Sequence, residues 1–174
     1  MRGGMNWDAV AAVSEVVGAI AIVITLIYLA QQLRQNTKAI KSATWQATQD
    51  AEQRFDGMIA SDSLMAELFD RGMEQGLGSV QKGERTRLWL IQKQLLDLYQ
   101  THHYHYENGI IDEDLWRNWV AQLDDGLSDF PNWGRDMVPR LKYLRPSFRA
   151  FLEHHLRKHD IEVGDEATRG FSRE

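Results

Sequence analysis

Apolar and polar residues along this chain follow two different patterns. From Val16 to Leu33 the sequence reads VVGAIAIVITLIYLAQQL, eighteen residues without a formal charge, and Arg34, Lys38 and Lys41 follow at once. About 20 predominantly apolar residues are what an α-helix needs to cross a hydrocarbon core of about 30 Å, so this run predicts a membrane span. Trp7, before the run, and Tyr28, near its end, stand 21 residues apart, roughly 32 Å along a helix axis, the separation of two interfacial aromatic belts. Asn6 or Asp8 is suited to cap the helix N-terminus.

Beyond the run the apolar residues recur at helical spacing. Gln31 to Ala60 holds no Pro and only Gly57, which predicts that the spanning helix continues as a stalk. Ser61-Asp62-Ser63 is an N-cap cluster opening a short helix over 64–74, which Gly76 and Gly78 end. Leu88, Ile91, Leu95, Leu98, Tyr99, His102 and Tyr106 form one stripe on a long helix over 84–107, stopped by Asn108-Gly109. Asp112 caps a fourth helix carrying Leu115, Trp116, Trp119, Val120 and Leu123. A loop holding Pro131, Trp133 and Gly134 leads to a fifth helix near 136–144, and Pro146 opens a sixth that runs to His159. Trp89, Tyr99, Tyr106, Trp116, Trp119 and Trp133 are the expected aromatic core. The predicted fold class is all-α: an anchor over 1–34 with its span at about 9–33, a stalk over 35–60, a helical bundle over 61–159 and a flexible polar tail over 160–174.

Within the span, Glu15 is the discordant residue, since an ionised carboxylate inside a bilayer costs at least a few kcal/mol. Either the helix slides so that Val16–Leu33 is the true span and Glu15 lies among the headgroups, or Glu15 is inside and meets another helix. Ala11, Ser14, Gly18, Ala21 and Thr25 recur at steps of three and four. Such a small-residue stripe lets helix backbones approach closely in lipid, and with Glu15 at its margin it predicts a helix–helix interface, in a homo-oligomer or with another membrane protein. Arg2 is the single basic side chain before the span, whereas Arg34, Lys38 and Lys41 follow it. The side richer in Lys and Arg stays in the cytoplasm, so the N-terminus is expected outside and the body inside. A cleaved signal peptide and a buried core helix are the competing readings of the same run.

Composition adds constraints. The chain has no Cys and only three Pro, which removes disulfides and thiolate metal sites and favours helices. Residues 107–136 carry eight acids against two bases, and residues 137–159 carry six bases against one acid. These neighbours either fold against each other or leave Arg140, Lys142, Arg145 and Arg149 facing an anionic leaflet. A net charge of −5, without a basic fold signature, argues against nucleic acid as a partner.

Catalytic chemistry finds little support. No Ser lies in a Gly-x-Ser-x-Gly elbow, and Gly72-x-x-x-Gly76-x-Gly78 lacks the Lys-Ser/Thr ending of a phosphate loop. His102 and His105 stand at i and i+3 of one helix, with Tyr106 beside them, and are the residues best spaced for a polar or metal site. The chain nevertheless lacks the Glu-x-x-His pairs of di-iron bundles. No cofactor and no metal is implied by any motif, and the remaining expectation is a binding or scaffolding module, with a membrane-tethered ligand or metal sensor, or an enzyme, around His102, His105 and Tyr106 as the alternative.

Four segments together carry a resemblance: MNWDAV at 5–10, LIYLAQQLRQNTKAI at 26–40, ENGIIDEDLWRNW at 107–119 and RPSFRAFLEHHL at 145–156. The chain resembles a widespread family of uncharacterised bacterial proteins with one N-terminal membrane helix and a small helical cytoplasmic domain. The resemblance implies that architecture and a setting in the bacterial inner membrane, lipid included as a partner. It implies no activity, cofactor or catalytic residue.

Overall fold

The computed structural model describes residues 7–164, and those residues are helical throughout their regular structure, with no strand among them. They divide into two compact units that meet between Thr44 and Trp45. Asn6 and Arg2 lie outside the described residues, as do residues 165–174 of the expected tail.

Among the described residues, the first unit is helix alone. Helix α1 runs Trp7–Ala60, with Asp8 in its first turn, where a negative charge suits the helix dipole. Its most apolar window is long and apolar enough to cross a membrane, and none of that window is buried against protein. Ile20, Ile24 and Ile27 stand more than half exposed.

The second unit begins with the last turns of the same helix. Thr48 and Phe55 are buried, and Phe55 packs with Ile91 and Leu98. Residues 45–60, read from sequence as stalk, are therefore a wall of the body. Helix α2 (Ser63–Gln75) starts where Asp62 accepts the Leu64 and Met65 N–H groups at 2.9 and 3.4 Å, and ends at Gly76, φ +79°. Gly72, by contrast, terminates nothing. It lies inside α2 with the Leu88 side chain pressed against its Cα, so that a Cβ there would clash; the glycine sets how closely α2 approaches the next helix.

That helix, α3 (Lys82–Glu107), is the central strut, burying Leu88, Ile91, Leu98, Tyr99 and His102 as the stripe requires. Tyr106 at the end of the stripe is 37% exposed, and Trp89 is 42% exposed. These two aromatics are corrections to the expected core; Trp89 lies one residue off the stripe, where a helix turns its side chain away. Helix α4 (Glu113–Asp129), capped by Asp112 at 2.9 Å from Leu115 N, buries Trp116, Trp119, Leu123 and Leu127.

The segment after it departs from expectation. Residues 131–137 form a helix, α5 (Pro131–Met137), in place of the loop, and a 3-10 helix, η1 (Val138–Tyr143), replaces the α-helix expected over 136–144. Pro131 is favourable at a helix start, where its missing N–H is no loss, whereas Pro139 removes a donor and supports the tighter winding. Helix α6 (Pro146–Lys158) buries Phe148, Leu152, His155 and Leu156. At its end Asp160 adopts φ 56°, the Ile161 N–H returns to Leu156 O at 2.9 Å, and the Asp160 N–H to Arg157 O at 3.1 Å. This is the paired 6→1 and 5→2 closure of a helix C-terminus. Ile161 is thereby folded into the core at 2% exposure, so the start of the expected tail is a core element.

Candidate functional site

The histidines nominated by sequence, His102 and His105, lie in different surroundings. His102 is fully buried, its ring stacked on Trp119 at 3.7 Å between centroids and edge-on to Trp45 at 6.0 Å. Its Nδ1–H donates to Leu98 O at 2.8 Å, and Nε2 is enclosed without a hydrogen-bond partner among the described residues. His105 turns instead to Thr48, 3.4 Å from its hydroxyl. Tyr106 stacks on Trp116 at 5.2 Å, on the outside of the body. No three His, Asp or Glu side chains converge to hold a metal ion among the described residues. Around His102 the side chains form an aromatic sandwich, in which a neutral imidazole is flat and its single donor is satisfied within its own helix, and His105 and Tyr106 turn to other partners. Burial accordingly lowers the proton affinity of His102.

The opposed charges of 107–136 and 137–159 meet at one point. Asp124 of α4 receives His155 Nδ1 at 2.7 Å and His159 Nε2 at 3.0 Å on one oxygen, and Lys158 Nζ at 2.7 Å on the other. Burial pushes this carboxyl up, but the three hydrogen bonds outweigh it and hold its pKa at about 2. The cluster fastens α6 to α4 and leaves the acid fully ionised at neutral pH.

The residues nominated as a lipid-facing basic patch do not share one exposed face. Lys142 lies over Tyr143, the Arg145 guanidinium lies 4.4 Å from the Tyr104 ring centroid, and Arg149 reaches Leu144 O. Arg140 is the clear correction: it is buried, at 8% exposure. In α1, Trp7 and Tyr28 are exposed, as are Arg34 and Lys38, and Lys41 is half-buried. Ala11, Ser14, Glu15, Gly18, Ala21 and Thr25 are exposed too. The Ser14 and Thr25 hydroxyls donate to Val10 O and Ala21 O one turn back, so they are satisfied before any second helix arrives.

A recess of the body lies between α3 and η1. It is a groove of about 820 Å³ walled by Leu77, Trp89, Leu96, Pro139, Tyr143 and Leu144, with Lys93, Arg135, Arg140 and Lys142 set among them against Asp97 and Asp136. Its size falls within the range of small-molecule sites, about 300–1,000 Å³. Gln92, almost wholly buried in α3, organises one side: its Nε2 donates to Asp136 Oδ2 at 3.0 Å and its Oε1 accepts from Arg140 Nη2 at 3.0 Å. The same Asp136 oxygen accepts the Leu77 N–H at 2.7 Å, tying the α2–α3 loop to the groove. Gln100 Oε1 takes the Arg145 N–H at 3.0 Å and fixes the opposite end. The Arg140 guanidinium lies 5.6 Å from the Trp89 ring centroid, within cation–π range.

Sequence reasoning overlooked Gln92, Asp136 and Trp89 as a set. The available signal was Gln92 itself, an uncharged polar residue at i+4 from Leu88 and i−4 from Leu96, inside an otherwise apolar stripe. A buried amide with four hydrogen-bonding positions implies polar partners from elsewhere in the fold. Comparison of the chain with protein-family models, with curated proteins and with solved structures returned no match.

Proposed function

We infer that the chain is a single-pass membrane protein of the bacterial inner membrane, with its N-terminus outside and its helical body in the cytoplasm, where the body acts as a binding module. The observation that carries this reading is the uncharged run over residues 16–33 of α1, which lies in a wholly exposed apolar stretch and is followed directly by Arg34, Lys38 and Lys41. Covering such a surface with lipid removes it from water, and the basic flank favours the cytoplasmic side. The four resembling segments support the bacterial setting. The binding role rests on the α3–η1 groove, whose polar groups are held in place by buried hydrogen bonds. Self-association through Ala11, Ser14, Gly18, Ala21 and Thr25, with Glu15 at the margin, completes the proposal.

Carbonate extraction tests location: the protein should stay in the membrane pellet, and release into the soluble fraction would overturn the reading. Because the chain lacks Cys, a single Ser61→Cys substitution at an exposed position of the body reports its side. A membrane-impermeant maleimide should label it only after the cells are permeabilised; labelling in intact cells would invert the topology.

A further inference from the structure

We propose that the α3–η1 groove binds an oxyanion, a carboxylate or phosphate carried on an apolar body, with the charge facing Arg140 and the apolar part against Trp89 and Tyr143. The proposal deepens the binding-module reading and rests on it. Its main support is an electrostatic imbalance. Arg140 is more than nine-tenths buried, yet among the described residues no carboxylate forms an ion pair with it; the amide oxygen of Gln92 receives Nη2, and Nη1 has no hydrogen-bond partner at all. Asp136 and Asp97 favour its charge only from a distance, while burial opposes it. A buried cation is ordinarily paired, and a guanidinium presents parallel N–H groups that match a carboxylate or phosphate in bidentate fashion.

The surroundings select the same ligand class. Of the two acids in the groove, Asp97 is paired with Lys93, and the inward oxygen of Asp136 is occupied by Leu77 N and Gln92. Lys142 and Arg135, exposed at the rim, have no carboxylate partner among the described residues. On the other side of Trp89, Lys82 and Arg85 line an adjoining recess with Leu77 and Thr86. In a chain with a net charge of −5, this surface is cationic. Its aromatic residues are the outlying ones: Trp89 at 42% and Tyr143 at 72% exposure, planar faces beside a positive centre. Gln92 and Asp136 fix Arg140 before a ligand arrives, so little ordering is needed on binding.

Phenyl phosphate is the probe, titrated by calorimetry into the full-length protein in phosphatidylcholine nanodiscs. It should bind, benzyl alcohol should not compete, and Lys142→Glu at the exposed rim should weaken binding tenfold or more. Arg140→Gln should abolish binding; since Arg140 is buried, Lys142→Glu and Tyr143→Ala keep the test valid if that variant does not fold. Competition by dihexanoyl phosphatidylglycerol but not by dihexanoyl phosphatidylcholine would assign the oxyanion to a lipid headgroup, and absence of competition would assign it to a soluble anion. No binding of phenyl phosphate, or binding indifferent to Lys142→Glu and Tyr143→Ala, would overturn the proposal. Carbonate extraction and Ser61→Cys labelling do not involve the groove, so the ligand and the membrane reading fail independently.

Discussion

Asp160 holds a left-handed conformation, φ 56°, that costs an L-residue roughly 1–2 kcal/mol, less for Asp than for most. The cost is offset by what the turn delivers: Ile161 is folded onto the core at 2% exposure, and burying such a side chain contributes about 1.5–3 kcal/mol. Asp160→Gly should therefore raise the stability of the body by about 0.5–1 kcal/mol. Ile161→Ala should lower it by about 2–4 kcal/mol. Urea unfolding of the two variants checks both, and an Ile161→Ala midpoint equal to that of the parent would return residue 161 to a loose tail. The same closure ends α3, where Gly109 takes φ 61° and the Ile110 N–H returns to His105 O at 2.8 Å. There the sequence announces it, because Asn-Gly is a recognised helix stop; at 159–161 the positive φ falls on an Asp, which reads as ordinary surface. His102 was obscure for a related reason, since nothing in its residue type says whether an imidazole will bind a metal or stack on Trp119.

At the scale of elements, most of the helices could be read directly, because a stripe at period 3.6 and a capping Asp are local signals. Where α1 stops being a lone apolar helix and becomes wall was not local: Thr48 and Phe55 are buried by partners on α3, including His105 and Ile91, more than thirty residues away. Residues 131–143 misled for a different reason, since two prolines eight residues apart fit either a loop or two short helices. The groove was hidden altogether, being made of Gln92, Asp136 and Arg140 from three elements. The small-residue stripe of α1 makes a prediction at this scale. A Cβ at Gly18 would meet nothing within 4 Å, so Gly18→Ile leaves the helix itself intact and puts a bulky side chain on the proposed contact face. Energy transfer between labelled copies in nanodiscs should fall to the level of unassociated chains. An unchanged signal would remove the stripe as an interface.

For the molecule as a whole, the titratable groups give a two-step acid response. Burial lowers the proton affinities of His102, His103 and His105, and unfolding restores them to an ordinary value near 6.5. The unfolded chain then holds more protons, so stability falls as pH drops below about 6.5. Asp124 acts lower on the scale: held at about 2 when folded against an ordinary 3.8, it contributes fully above 3.8 and loses its contribution as pH falls toward 2. Urea midpoints of the full-length protein in detergent should decline from pH 7.5 to 5.5 and again from pH 4 to 2.5. A midpoint constant between 7.5 and 5.5 would mean that the three buried imidazoles accept protons without loss of packing.

The boundary at Trp45 also decides what survives if the chain is cut. Residues 34–44 are the part of α1 that neither carries the apolar run nor belongs to the compact body. Cleavage there would shed a body complete with Trp45, Thr48 and Phe55. Cleavage at 60/61, where the helix ends in an exposed turn, would strip those side chains away and bare Ile91, Leu98 and the outer face of His102. Only the first product is a domain; the second would be a substrate for degradation.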